Sequence, residues 1–462
     1  MNPFSRRQVL TGITGASVIT MMGLQCAIAG DGFLELTARA TKIKLGGQQG
    51  PDSDLLGYDG LVPGPTLRFV QGQIARIRFR NELDVPSTIH WHGIRLENAM
   101  DGVPGLTQDP VPPGGSFDYE FTPPDAGTFW YHAHVQSWNQ VSRGLFGALI
   151  IDEPIPAFAP QDDHVLVLTD WLLTDEGVYD AESLGNVFEW SGAGRIGNFL
   201  TVNGVAVPEI AVATGAAQRL RLINTSTARI LKIKLTGVAA KIIARDGQPL
   251  AAPQDMGRTF KLGPAQRIDL MAEFTPDSAA ELKEASWQDI LMAHFTPSLT
   301  SEPRPTPALA AADLPVPDLT KIQWFPLHIT GGSLGSLGGA TVATMAADME
   351  MPSDQPPLWA FNNVSRMGDQ PMFQVASGET VGLRMENGSF EYHAIHIHGH
   401  DFRRVPQDDT ETPDLTWFDT ILIAPKEVLQ VAFVAGKPGK WMIHCHMLEH
   451  SAAGMDTWFL VV

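Results

Sequence analysis

Near its carboxyl end the chain reads His444-Cys445-His446, with His450 and Met455 shortly after. These residue types at this spacing can do one-electron chemistry. On a β-strand alternate side chains point to opposite faces. His444 and His446 therefore face one way and Cys445 the other. Cys445 with His450, Met455 and one distant histidine makes a two-His, one-Cys, axial-Met set, the donor pattern of a blue-copper electron-transfer site. The flanking histidines can bind other metal ions on the far face, so a single strand joins a one-electron entry site to a second centre.

The second centre needs more ligands, and the chain supplies them in groups: His90-Trp91-His92, His132-Ala133-His134, and His393, His396 and His398. With His444, His446 and His450, ten of the 14 histidines fall in four tight clusters. Each His-x-His pair puts both imidazoles on one face of a strand, and neutral imidazole suits copper. A lone histidine is more often structural than a ligand, and His164, His294, His328 and His400 are read that way. Four clusters plus a cysteine and a methionine are not.

The elements that must carry these residues are short and alternating. Gly (44) and Pro (34) are abundant in 462 residues, and turn-broken segments of alternating hydrophobicity favour an all-β fold. The length suggests two to four domains. Ser278–Ile290 is the best helix candidate. One plan occurs three times, at Tyr58–Asn81, Val202–Asn224 and Phe361–Asn387: a turn, a strand, a Gly turn, then an alternating strand ending in Asn. The first copy leads to "IHWHGI" and the third to "HAIHIHGH", whereas the second leads to "ILKIKL", without histidine. This predicts three β-sandwich domains, 30–153, 154–305 and 306–462, with metal ligands only in the outer two. Domains one and three must then touch, with the second centre between them. The middle domain acts as a spacer and as one wall of a substrate site. Thr296–Pro317, rich in Pro, Thr and Ala, reads as a linker or surface loop.

Residues 1–29 read as an export segment. Ser5-Arg6-Arg7-Gln8-Val9-Leu10 is a twin-arginine signature, and the small-x-small end Ala27-Ile28-Ala29 predicts cleavage near Ala29/Gly30. The expected destination is the periplasm or the exterior, with no membrane attachment after cleavage. Removal takes the formal charge from −19 to −21, because the segment carries two arginines and no acid. Such acidity disfavours nucleic acid and anionic membrane as partners. It also leaves Cys445 as the one cysteine, so no intrachain disulfide is expected despite an oxidising compartment.

The motifs "HWHG", "WYHAH", "HAIHIHGH" and "HCHMLEHSAAGM" together resemble the multicopper oxidases, specifically the three-domain bacterial laccase-like group, over essentially the whole mature chain. The resemblance implies three tandem cupredoxin-like Greek-key sandwiches and four copper ions. By motif, the type 1 copper is held by His393, Cys445, His450 and a weak axial Met455, and the type 2 copper by His90 and His396. The type 3 pair takes His92, His132 and His446 on one ion and His134, His398 and His444 on the other. It further implies four one-electron oxidations of a reductant at type 1, electron passage along Cys445 to its flanking histidines, and reduction of O2 to water at the three-copper cluster. Strand and side-chain dimensions put the two centres on the order of 10 Å apart.

Oxygen reduction needs protons. Asp101, in "MDGVPG", resembles the family's cluster-side acid. Many bacterial relatives place Glu directly after the last type 1 histidine; here that residue is Ser451, which leaves more of the proton supply to Asp101. Asp419, in "WFDTILIAP", is placed to hydrogen-bond the far nitrogen of a ligand histidine. Glu391, two residues before His393, is placed to bind a phenol hydroxyl or a cation. An axial methionine suggests a low-to-middle type 1 potential. The expected reductant is a phenol or aromatic amine, with Cu(I) as the alternative. Met345, Met349 and Met351, with Met367 and Met372, are candidate soft ligands for Cu(I), although core or surface packing is the preferred reading. A copper-free envelope protein is disfavoured by the complete ligand set, and a two-domain nitrite reductase by the eight histidines available for three further coppers. A monomer is expected.

Overall fold

The structure is a computed structural model that describes residues 32–47, 50–302, 307–311, 313–343, 357–407 and 414–462. The export segment 1–29, the 305/306 boundary and the Met345–Met351 stretch lie outside the described residues. Among the described residues no helix is long and apolar enough to cross a membrane.

Strand Ala75–Asn81 shows how the sequence makes the sheets. Ala75, Ile77, Phe79 and Asn81 are buried while Arg76, Arg78 and Arg80 point outward. Across the antiparallel partner strand, Arg76 meets Glu120 at 2.6 Å and Arg78 meets Asp118 at 2.7 Å. A one-residue slip would bury three guanidiniums, so alternation and charge pairing set the register together. The asparagine that ends each repeat is wired the same way three times. Asn81 Nδ2 donates to the Val85 and Val111 carbonyls, Asn224 Nδ2 to Arg229 and Leu262, and Asn387 Nδ2 to Glu391 and Ala424. Each Oδ1 accepts from the backbone N–H two residues on. The side chain thus satisfies backbone groups where the strand breaks off.

Six sheets form three face-to-face pairs, each from one stretch of chain. The first pair spans Leu34–Asp152, the second Asp163–Thr300 and the third Gln323–Val461. The protein is all-β, with three cupredoxin-like sandwiches. One continuous apolar core runs through the first and third, from Leu36 and Trp91 to Trp441 and Phe459, while the middle sandwich has its own core around Leu220, Leu270 and Leu282. The outer sandwiches therefore meet over a shared interior.

Two expectations are corrected. Ser278–Ile290 is not a helix: Ala280–Glu284 is a strand with Ala280, Leu282 and Glu284 buried, and a second strand begins at Ile290. Period-two burial overrides the helical composition of "AAELKEA". The Thr296–Pro317 segment is not loop throughout, because Ile290–Thr300 is a strand pairing in parallel with Glu209–Thr214. Its Pro297 sits where the register shifts, at the end strand pair of the sheet, a position that tolerates a missing N–H.

Candidate metal centres

Strand parity sorts the histidines. His90 and His92 lie on Ile89–His92, opposite His132 and its neighbours on Gly127–Ala133. His396 pairs with His444 across His393–Ile397 and Gly439–Cys445, and Ile395 pairs with Cys445. His396 and His398 share parity and enter one cavity. His393, an odd number of residues away, falls on the other face with Cys445.

Four groups of imidazole and thiol donors result, each with its atoms within 4.8 Å of one another: His90, His92, His396; His92, His132, His446; His134, His398, His444; and His393, Cys445, His450. The first two share His92, a further group of His90, Asp101 and His398 links them to the third, and together they make one cage walled by the first and third sandwiches. All these side chains are buried. In the cage His398 Nε2 and His444 Nε2 lie 3.1 Å apart, and His132 Nε2 and His446 Nε2 3.4 Å apart. Nitrogens at such separations suit a shared cation roughly 2.0 Å from each. His90 Nε2, His92 Nδ1, both nitrogens of His134, His396 Nε2 and His446 Nδ1 have no hydrogen-bond partner. Buried polar atoms are seldom left so, and unpartnered ring nitrogens from both outer sandwiches around one cage are groups that bound metal ions would satisfy.

The separate group is tighter. His393 Nδ1 and His450 Nδ1 are 3.1 Å apart, and Cys445 Sγ is 3.7 and 3.8 Å from them. Met455 is fully buried, its N–H donating to the His450 carbonyl and its carbonyl accepting from the Cys445 N–H. Outward-facing nitrogens are already engaged: His393 Nε2 with Ser389 Oγ at 2.9 Å, and His450 Nε2 with the Gly192 carbonyl at 2.8 Å. Trp359 packs against both rings.

Burial controls the protonation of the donors. It lowers His92, His132, His134, His393, His396, His398 and His446 well below the ordinary imidazole value, with help from neighbouring imidazoles. It lowers His444 to about 3 and His450 to about 4. Neutral rings keep their lone pairs available. Burial pushes the Cys445 thiol up to about 12, so a metal arriving there displaces a proton.

Two carboxylates hold the cage from different sides. Asp101 Oδ2 lies 2.9 Å from His398 Nδ1, and its carbonyl accepts from His90 Nδ1 at 2.8 Å. The turn behind it needs Gly102: φ is +82°, and a Cβ there would stand 1.8 Å from the Ile89 carbonyl oxygen. Asp419 Oδ1 lies 3.2 Å from His92 Nε2, and its carbonyl accepts from His396 Nδ1 at 2.8 Å. Asp419 is in turn gripped by Arg267, whose Nη1 donates to Oδ1 at 2.8 Å and whose Nη2 donates to Oδ2. Arg267 comes from the middle sandwich. Its Nε also donates to the Thr128 carbonyl of the first, at 3.1 Å. Arg267, Ser389 and the Gly192 carbonyl were not singled out from sequence.

Glu391 stands away from the cage. It lines a cavity of about 540 Å³ between the middle and third sandwiches, with Ala193, Ile196, Arg229, Trp287, Tyr392 and Met447 among its walls. Burial raises the Glu391 carboxyl above its ordinary value. Of the structural histidines, His400 is buried with Nδ1 on the His398 carbonyl and Nε2 accepting from the Gly436 N–H. Both its nitrogens are satisfied by backbone.

A three-sandwich protein with a histidine cage between its ends and a Cys-His-His site one residue away is built as a copper oxidase. The comparisons with known proteins agree. Sequence models described as "Multicopper oxidase" match residues 39–155, 162–280 and 340–462. A multi-copper oxidase crystal structure from Pseudomonas thermotolerans superposes with a TM-score of 0.81 at 30% identity, covering 93% of this chain and 98% of that one. The multicopper oxidase MmcO of Mycobacterium tuberculosis is 28% identical over 91% of this chain and 85% of its own length. Laccase-1 of Botryotinia fuckeliana is 26% identical over 88% and 78%. The chain belongs to the multicopper oxidase family, and is a copper-dependent oxidoreductase that uses O2 as electron acceptor.

Proposed function

We propose that this protein is a laccase-like oxidase, coupling four one-electron oxidations of a phenol or aromatic amine to the reduction of one O2 to two waters. In this reading four copper ions are held: one by His393, Cys445, His450 and Met455, one by His90 and His396, and a pair by His92, His132, His446 and by His134, His398, His444. Copper supplies the redox chemistry. The chain holds the imidazoles neutral, orients them through Asp101 and Asp419, and keeps the two centres apart on one strand.

The observation that carries the organic substrate is the cavity of about 540 Å³. It lies in the range of small-molecule sites. Met447, two residues past Cys445, forms part of its wall, and so does Ala193, next to the carbonyl that caps His450. Ile196, Trp287 and Tyr392 offer apolar and aromatic faces, and Glu391 offers an acceptor for a phenol hydroxyl or an amine. Cu(I) is the competing reductant. Among the residues lining this cavity, Met447 is a single thioether, whereas a soft ion is best held by several sulfur donors. A location outside the cytoplasm is supported by the Ser5–Leu10 motif alone. Turnover of a dimethoxyphenol and of Cu(I) by the copper-loaded protein tests the choice. Phenol oxidation without added copper is expected; negligible phenol turnover with rapid Cu(I) oxidation would reverse it.

A further inference from the structure

Asp401 is a buried acid that nothing above uses. Its side chain is 1% exposed, and neither carboxyl oxygen has a hydrogen-bond partner. An ionised carboxylate in such a place is costly. Phe402 pairs with Phe418 and Arg403 with Trp417 across an antiparallel ladder. Continuing that register by one residue sets Asp401 against Asp419. Directly opposed residues share a face, with Cα atoms roughly 4.5–5.5 Å apart. Asp419 reaches the cage through His92. On the other side Arg95 Nε stands 3.9 Å from Asp401 Oδ2, and the same guanidinium holds Asp125 by bonds of 2.7 and 2.9 Å. The Arg95 side chain is 24% exposed, so that pair touches water. Asp401 thus lies between a solvent-reaching pair and a cage-touching carboxylate.

We propose that Asp401 is a relay carboxyl, passing solvent protons toward the His92–His396 side of the cage, away from Asp101's contacts with His90 and His398. The proposal rests on the reading that O2 is reduced at the cage. That reaction consumes four electrons, supplied by the reductant, and four protons for two waters. Asp401 releases its hydroxyl proton on the Asp419 side. The carboxylate left behind regains a proton from water at the Arg95–Asp125 edge, and the residue ends unchanged. The groups facing it are Asp125 and Arg95 from the first sandwich, Asp419 from the third and Arg267 from the middle one. Burial, reinforced by Asp125 and Asp419, raises its pKa well above the carboxylate range against the pull of the two arginines. The resting group therefore carries a proton to give. A carboxyl without hydrogen bonds also turns readily about its last torsion, which a carrier requires. Ser451, at the end of the His444–His450 stretch, supplies no acid.

The test uses Asp401→Asn and Asp401→Glu in the full, copper-loaded protein, with two readouts. The infrared spectrum of the wild type near neutral pH should contain a protonated-carboxyl band that Asp401→Asn lacks. After anaerobic reduction and mixing with O2, Asp401→Asn should reoxidise roughly 10- to 100-fold more slowly, with an altered pH profile. Its reduction by the phenol should be unchanged, and Asp401→Glu should recover much of the rate. Wild-type reoxidation by Asp401→Asn across the pH range, or a band that survives the substitution, would overturn the relay. If Asp401→Asn does not accumulate as folded protein, Asp401→Glu decides: a longer acid must shift both band and pH profile, and leaving both unmoved overturns the relay. Loaded wild-type protein that consumes no O2 would overturn the reading of the cage and the relay with it; an intact wild-type rate in Asp401→Asn removes the relay alone.

Discussion

Replacing Arg267 by methionine removes a cation that joins all three sandwiches beside the cage. The guanidinium is fully buried, grips Asp419 with two nitrogens, donates to the Thr128 and Ala265 carbonyls, and lies 3.7 Å from Asp246. Methionine is close in length, so the cavity left is small and the loss is electrostatic. Asp419 and Asp246 then stay buried without that guanidinium, and breaking a buried pair in this way costs about 3–5 kcal/mol. With roughly 400 folded residues and an unfolding entropy near 2.1 cal/mol/K per residue, each kcal/mol moves the midpoint by about 1.2 °C, giving a fall of about 4–6 °C. If the sandwiches unfold in separate steps, the shift concentrates in the middle and third transitions and is larger. Scanning calorimetry on metal-free protein measures it, and copper retained after dialysis reports whether Asp419 still orients His92. Arg267→Lys keeps the charge but loses the two-pronged grip, and should fall between wild type and Arg267→Met. A fall below about 1 °C, or equal falls for Lys and Met, would refute the claim that this ion pair ties the middle sandwich to the cage.

Two further outcomes are expected. Metal-free protein should be acid-labile: unfolded imidazoles take up protons below about 6.5 while folded His450 and His444 resist down to about 4 and about 3. Stability present above pH 6.5 is therefore lost as the pH falls, about 3 kcal/mol for His450 alone by pH 4; a thermal midpoint that stays level between those values would contradict it. Asp101→Asn should keep the blue colour and the rate of reduction by phenol while slowing reoxidation by O2 roughly 10-fold or more, measured by stopped-flow; normal turnover would remove Asp101 from proton supply.

The histidine groups were legible because strand parity is a period of two, and 393 against 396, or 445 against 444, shows which face a donor takes before any coordinates exist. The three-fold plan was legible for a similar reason. The asparagine closing each copy repeats because each copy has the same backbone groups to satisfy. Glu281 and Lys283 misled at Ser278–Ile290, since helix-forming side chains on the outer face of a hairpin inside the sheet leave no local mark of the sheet behind them. Arg267 and Asp401 were illegible for a different reason: each looks like an ordinary strand-end charge, and its partners are contributed by distant strands. The Gly192 carbonyl has no side chain to read at all.

That carbonyl has a consequence for selectivity. With His450 capped by Gly192 and His393 by Ser389, neither imidazole presents an edge for a reductant to grasp. An electron entering at the proposed copper site must cross a thin, fixed layer of protein, as current crosses insulation. Discrimination then depends on how willingly a molecule gives up an electron at that distance more than on how its outline matches a socket. Such an enzyme is permissive about shape and strict about driving force. The thickness of the layer is set by how firmly the middle sandwich is seated, so a change far from any metal ligand can retune which reductants it accepts.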